Sequence, residues 1–151
     1  MVIAPSRAER SRSKLLAAAN AALVAGDGGF ELQDVAARAG VSVGLVSHHF
    51  SSKAGLIAAV VNIFYDEAEQ ALDLHDFAQG GWSAREQERL ARLIDFLYRE
   101  ETATVILSKL VHYPDVAAIE TRRWNGLIDA AARNIIKGKP AARFRACNRR
   151  T

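Results

Sequence analysis

Apolar residues recur along this chain at helical spacing, and no stretch alternates with the period of two that marks a half-buried strand. Leu15, Ala18, Ala19, Ala22 and Leu23 make the first stripe, closed by the turn formers Gly26-Asp27-Gly28-Gly29. A short second segment begins near Leu32 and carries Val35, Ala36 and Ala39. Gly40 follows, a residue able to take the left-handed conformation of a sharp helix end. Ser42 then offers an oxygen to the free N–H groups of a third segment, 43–49, where Val46 faces inward together with Val41 and Phe50. From Leu56 a long stripe of Ile57, Val60, Val61, Phe64, Ala68, Ala71 and Leu72 predicts a helix to about Phe77. After the boundary signal Ala78-Gln79-Gly80-Gly81-Trp82, Ser83 and Glu86 read as a capping box for a helix with Leu90, Leu93, Ile94 and Leu97 on one face. Helices over 102–112 and 115–137 complete the series, separated by Pro114 and ended by Gly138. The expected fold class is all-α.

Two short helices joined by a tight turn containing Gly form a helix-turn-helix, whose second helix lies in the DNA major groove. The same pattern also suits a plain loop between core helices, so the exposed side chains matter. On the third segment Val43, Gly44, Ser47 and His48 lie toward the groove, with Leu45 and His49 at the boundary. A Gly at position 44 costs the helix about 1 kcal/mol against Ala. Close approach to DNA explains it, and so does packing against a neighbouring helix. His48 and His49 point about 100° apart and cannot share one metal ion. Ser51-Ser52-Lys53 opens the next helix, where free N–H groups and the Lys53 ammonium suit a phosphate.

The run Ala39 to Leu56, AGVSVGLVSHHFSSKAGL, resembles the DNA-binding region of the TetR family of bacterial transcriptional repressors. Ala39, Gly40, Val41, Ser42, Gly44, Val46, Phe50, Lys53 and Leu56 fall on the family pattern without a gap. Val41-Ser42-x-Gly44 followed by Ser47-His48 is most similar to the choline-responsive BetI group. The likeness extends from Ser11 to about Tyr65 and is loose beyond. It implies a three-helix helix-turn-helix DNA-binding domain over 1–55 and a linking helix over 56–78 whose tilt carries a signal. A helical effector and dimerisation region over 82–137 follows, shorter than the family norm by about a helix pair. The resemblance also sets Gln33 outward, at a position from which relatives reach DNA. Three positions depart from the family: Glu31-Leu32 replaces a capping Thr, Leu45 differs from the usual residue, and Ser47 stands where aromatics are common.

Charge sharpens this reading. Up to Lys14 there are four basic residues and one acidic; after Ile136 there are six basic and none acidic. The stretch between holds ten basic and sixteen acidic residues, so the body is acidic and the ends are basic. Residues 1–6 read as disordered and Arg7, Arg10, Arg12 and Lys14 as a basic lead suited to phosphates. Asp66, Glu67, Glu69, Asp73 and Asp76 form an acidic face without a basic partner, expected to point away from DNA. Residues 138–151 read as a basic disordered tail, or as an arm on DNA or on that acidic face. No apolar run of about 18 residues spans a membrane, no leader is convincing, and one cysteine, Cys147, excludes an internal disulfide. A cytoplasmic protein without a metal or cofactor is expected.

The function expected is a sequence-specific DNA-binding regulator, a ligand-released repressor acting as a homodimer on a pseudo-palindromic operator. Its DNA-binding residues are Gln33, Ser42, Val43, Gly44, Leu45, Ser47, His48, His49 and Lys53. Trp82, Phe96, Tyr98, Tyr113 and Trp124 are the aromatics available to line a small-molecule effector pocket. Catalysis is not expected: no Ser-His-Asp order, paired carboxylates or metal spacing appears, and the histidines scatter over His48, His49, His75 and His112. The alternative is a shortened helical interaction module that heterodimerises or binds DNA without a ligand response.

Overall fold

Ser6 starts the first helix. Its hydroxyl accepts from the Glu9 N–H at 3.2 Å, while the Glu9 carboxylate accepts from the Ser6 N–H at 2.6 Å, a reciprocal cap that satisfies two otherwise free donors. α1 therefore runs from Arg7 to Ala25, and Arg7, Arg10, Arg12 and Lys14 belong to the helix itself. This corrects the reading of residues 1–6 as an unstructured lead: the capping interaction fixes its last residue. The structure, a computed structural model, describes residues 4–72 and 82–138.

α2 spans Leu32–Ala39 and α3 spans Val43–Phe50. Gly40 sits between them at φ 67, with its N–H bonded to the Ala37 carbonyl and that of Val41 to the Ala36 carbonyl. This double closure needs a residue without a Cβ penalty at φ above zero. Ser42 caps α3 by accepting from the Leu45 N–H at 3.3 Å. Glu31, which precedes α2, makes no side-chain cap, as its residue type predicts. Only Ser51 and Ser52 separate α3 from α4, which spans Lys53–Ala71; Ser51 takes φ 63, and Ser52 accepts from the Gly55 N–H at 3.0 Å. A Cβ on Gly55 would lie 2.1 Å from the Phe50 carbonyl oxygen, so the junction is built on that glycine.

α5 (Trp82–Arg99), α6 (Glu101–Ser108) and α7 (Pro114–Gly138) form the second half. Ser83 lies inside α5, and Glu86 pairs with Arg89 at 3.1 Å, so the expected capping box is not formed there. The helix expected over 102–112 breaks at Lys109 into α6 and a 3-10 turn, Leu110–His112. Pro114 opens α7, since a first-turn residue needs no N–H partner. The expected extension of α4 to Phe77, residues 78–81 of the expected boundary and the basic tail beyond Gly138 lie outside the described residues.

One hydrophobic cluster joins the two halves, from Leu15, Leu23 and Val35 through Leu56 and Val61 to Phe96, Ile106, Leu110 and Val116. α4 is its centre and touches α1, α3, α5, α6 and α7. The loop after α1 also packs on the body. A Cβ on Gly28, at φ 97, would stand 3.0 Å from the Lys109 Cβ, and the Lys109 ammonium pairs with Asp27 at 2.8 Å. The acidic face of α4 has a basic partner after all. Arg123 of α7 donates to Asp66 at 2.6 Å, to Glu69 at 2.9 Å and to Asn62 at 3.2 Å. Sequence spacing missed it because the cation arrives from a helix more than 50 residues away. Beside it, the buried Tyr65 hydroxyl donates to the equally buried Glu120 carboxylate at 3.2 Å.

Candidate nucleic-acid interface

α3 divides as helical spacing predicts. Val46 and Phe50 are buried, Val41 packs against them, and Val43, Gly44, Ser47 and His48 are exposed. Leu45 and His49 are half-buried; the His49 Nε2 is enclosed and has no hydrogen-bond partner among the described residues. The His48 and His49 rings meet edge to face with centroids 5.5 Å apart, and His48 stays exposed. Gly44 is free of internal constraint: an added Cβ would find only the Ser42 hydroxyl, at 3.9 Å. Packing against a neighbouring helix therefore does not explain this glycine.

Two cationic flanks accompany the helix. On α1, Arg7, Arg10 and Lys14 share one face, being three and seven residues apart. Together with Ala39, Gly40, Val41, Ser42 and Leu45 they line a cleft of about 560 Å³ against the turn of the helix-turn-helix. The sequence marks these cations as suited to phosphates but not as neighbours of the turn, because nothing in the spacing tells which face of α1 meets it. Arg12 points elsewhere, with its guanidinium 5.3 Å from the Phe50 ring centre. The other flank is the start of α4. Lys53 holds its ammonium 5.3 Å over the Phe30 ring and 3.6 Å from the Glu31 carboxylate. Glu31 thus neutralises a cation that the positive end of α4 disfavours. Gln33 is exposed in the first turn of α2.

The aromatics expected around an effector are not brought together. Phe96 is buried against Phe64, at 5.4 Å between ring centres, whereas Tyr98 is 89% exposed and Tyr113 and Trp124 lie about half exposed. The Trp82 side chain lies outside the described residues. A half-open cavity of about 470 Å³ exists at another place, where α1 meets α4 and the α5–α6 junction.

A capped, glycine-hinged helix pair on an all-α scaffold, with an exposed reading face between two cationic flanks, is the arrangement of a helix-turn-helix DNA-binding domain. Residues 15–60 match the family model of bacterial regulatory proteins of the TetR family. Two crystal structures from Rhodococcus share the fold over most of this chain. One, from Rhodococcus sp. and described as a TetR-family transcriptional regulator, is 23% identical with a TM-score of 0.63, over 85% of this chain and 70% of that one. The other, a transcriptional regulator from Rhodococcus sp. Rha1, is 25% identical with a TM-score of 0.65, over 84% of this chain and 70% of its own. No curated protein sequence matches. The chain has the DNA-binding fold of TetR-family transcriptional regulators. No helix among the described residues is long and apolar enough to cross a membrane.

Proposed function

We propose that this protein is a cytoplasmic transcriptional regulator, a repressor that binds a pseudo-palindromic operator as a two-fold dimer and is released by a small-molecule effector. The observation that carries the reading is the exposed face of α3, with Gly44 free of any internal packing role, set between the Arg7-Arg10-Lys14 cleft and the start of α4. In this reading Val43, Gly44, Ser47 and His48 approach base edges, with Leu45 and His49 at the margin. Ser42, Lys53 and the α1 cations hold phosphates, and Gln33 reads or anchors from α2. Dimer formation is supported by apolar pairs left exposed at helical spacing, Leu90 with Ile94 on α5 and Trp124 with Ile128 on α7.

Fluorescence anisotropy with DNA from the protein's own promoter region tests the core of this reading. Specific binding at least about a thousandfold tighter than to unrelated DNA is expected, with an affinity that falls steeply with salt. Equal affinity for every sequence would overturn the regulator reading in favour of a module that coats DNA or pairs with another protein.

A further inference from the structure

The cavity between α1, α4 and the α5–α6 junction has its own chemistry. Its apolar wall is made by Leu16 and Ala17 of α1 with Val60, Ile63 and Phe64 of α4, enough to hold an aliphatic or aromatic body. At about 470 Å³ it falls within the range of small-molecule sites. The wall is fixed from behind: Phe96 supports Phe64, and the Thr102 hydroxyl donates to the Asn20 Oδ1 at 2.7 Å, joining α6 to α1. The Thr102 hydroxyl proton and the Asn20 Oδ1 are therefore engaged with each other. The remaining charge at the cavity is mainly negative. Glu67 of α4 and Glu100 at the α5–α6 junction both line it, and no described side chain forms an ion pair with either. Partial burial, then the nearby charges of Glu100 and Asp66, push the Glu67 carboxyl above its ordinary range. Arg12 also lines the cavity but is placed over the Phe50 ring, and Glu9 is held by the Ser6 cap.

We propose that this cavity is a binding site for a small primary ammonium ion on an apolar body, with the body against Phe64, Ile63 and Leu16 and the ammonium between Glu67 and Glu100. A primary ammonium supplies the positive charge and the hydrogen-bond donors that two unpaired carboxylates lack. A neutral ligand would leave their repulsion in place, and an anion would add to it. The site touches α1 on one side and the start of α6 on the other, so an occupant contacts the DNA-binding head and the helical body at once. The assignment rests on the cavity and its carboxylates and stands apart from the DNA-binding reading, which the operator titration tests separately.

Isothermal titration of the full chain at neutral pH, without DNA, decides it with three soluble probes of similar size: 2-phenylethylammonium, 2-phenylethanol and 3-phenylpropanoate. The expected result is saturable binding of the ammonium, one per chain at submillimolar concentration, with the alcohol at least tenfold weaker and no binding of the anion. The double variant Glu67→Gln with Glu100→Gln removes a repulsion and is expected to fold, as circular dichroism checks, and to lose at least tenfold in ammonium affinity. Ala17→Trp, which fills the cavity from its α1 side, is expected to abolish binding by steric exclusion. Absence of saturable ammonium binding to the wild-type chain, equal binding of the alcohol, or undiminished affinity in both folded variants would each overturn the proposal.

Discussion

At the scale of single residues, Gly44 and Glu31 offer tests of the proposed DNA-reading face. Gly44 has room for a Cβ and is nonetheless glycine. Gly44→Ala should raise the free energy of unfolding by about 0.5–1 kcal/mol, through helix propensity, as a denaturant titration measures. The same substitution should weaken operator binding if the close approach belongs to DNA. A gain in stability with unchanged DNA affinity would remove Gly44 from the interface. Glu31 competes with phosphate for Lys53, holding the ammonium at 3.6 Å. In Glu31→Gln the cation is released, and affinity for all DNA sequences should rise by about threefold at low salt, the scale of an exposed ion pair. That gain should shrink as salt is added, because both the lost pair and the new phosphate contact are solvent-screened. An unchanged affinity at low salt would mean that Lys53 stays on Phe30 and contacts no phosphate.

At the scale of elements, the joint between α4 and α7 is the place where sequence and structure part. The head was legible because its signals are local: Gly40 closes one helix, Ser42 and Ser52 cap the next two, and Val46 with Phe50 marks the inner face. The Glu31 departure was legible for the same reason. What could not be read were contacts between distant segments. Arg123 reaching Asp66 and Glu69, Lys109 reaching Asp27, and Arg7, Arg10 and Lys14 meeting the turn all depend on how helices dock, which a stripe of apolar residues leaves open. The small-molecule cavity was illegible for the further reason that Leu16, Phe64 and Ile63 look like ordinary core in a linear pattern.

The Tyr65–Glu120 pair gives this joint a measurable signature. Burial first, then the Glu120 charge and hydrogen bond, hold the Tyr65 phenol above its ordinary value. A raised folded value means the pair stabilises in full below about pH 10, the ordinary tyrosine range, and loses its contribution as pH climbs toward the raised value. Tyr65→Phe removes that donor and leaves Glu120 buried without it, so it should cost about 1–3 kcal/mol at neutral pH. The variant should also lose part of the alkaline fall in stability. Thermal unfolding from pH 8 to 11 checks both, and parallel curves for the two proteins would contradict the assignment.

At the scale of the whole molecule, the exposed apolar pairs on α5 and α7 bear on assembly. With Ile128 61% exposed and Trp124 four residues before it, α7 carries a stripe suited to a helix from a second copy. Light scattering at micromolar concentration should give twice the chain mass of 16.4 kDa. Ile128→Glu, at an exposed position outside the buried core, should shift that mass toward the monomer while the melting temperature of each chain's core stays close to wild type. A wild-type monomer would leave the two-fold operator without its geometric basis, since half-sites about 34–36 Å apart need two joined reading heads.

The short connection between α3 and α4 has a mechanical consequence. Two serines and a glycine pressed against the Phe50 carbonyl leave almost no slack, so the reading helix and the long helix behind it turn as one piece. A 19-residue helix is about 28 Å long, so a tilt of about 5° at one end sweeps the other by about 2.5 Å. That displacement is comparable to the reach of a hydrogen bond. In the proposed release mechanism α4 would serve as a stiff lever whose short coupling wastes little of its throw, and lengthening the Ser51-Ser52 link would disconnect the handle from the blade.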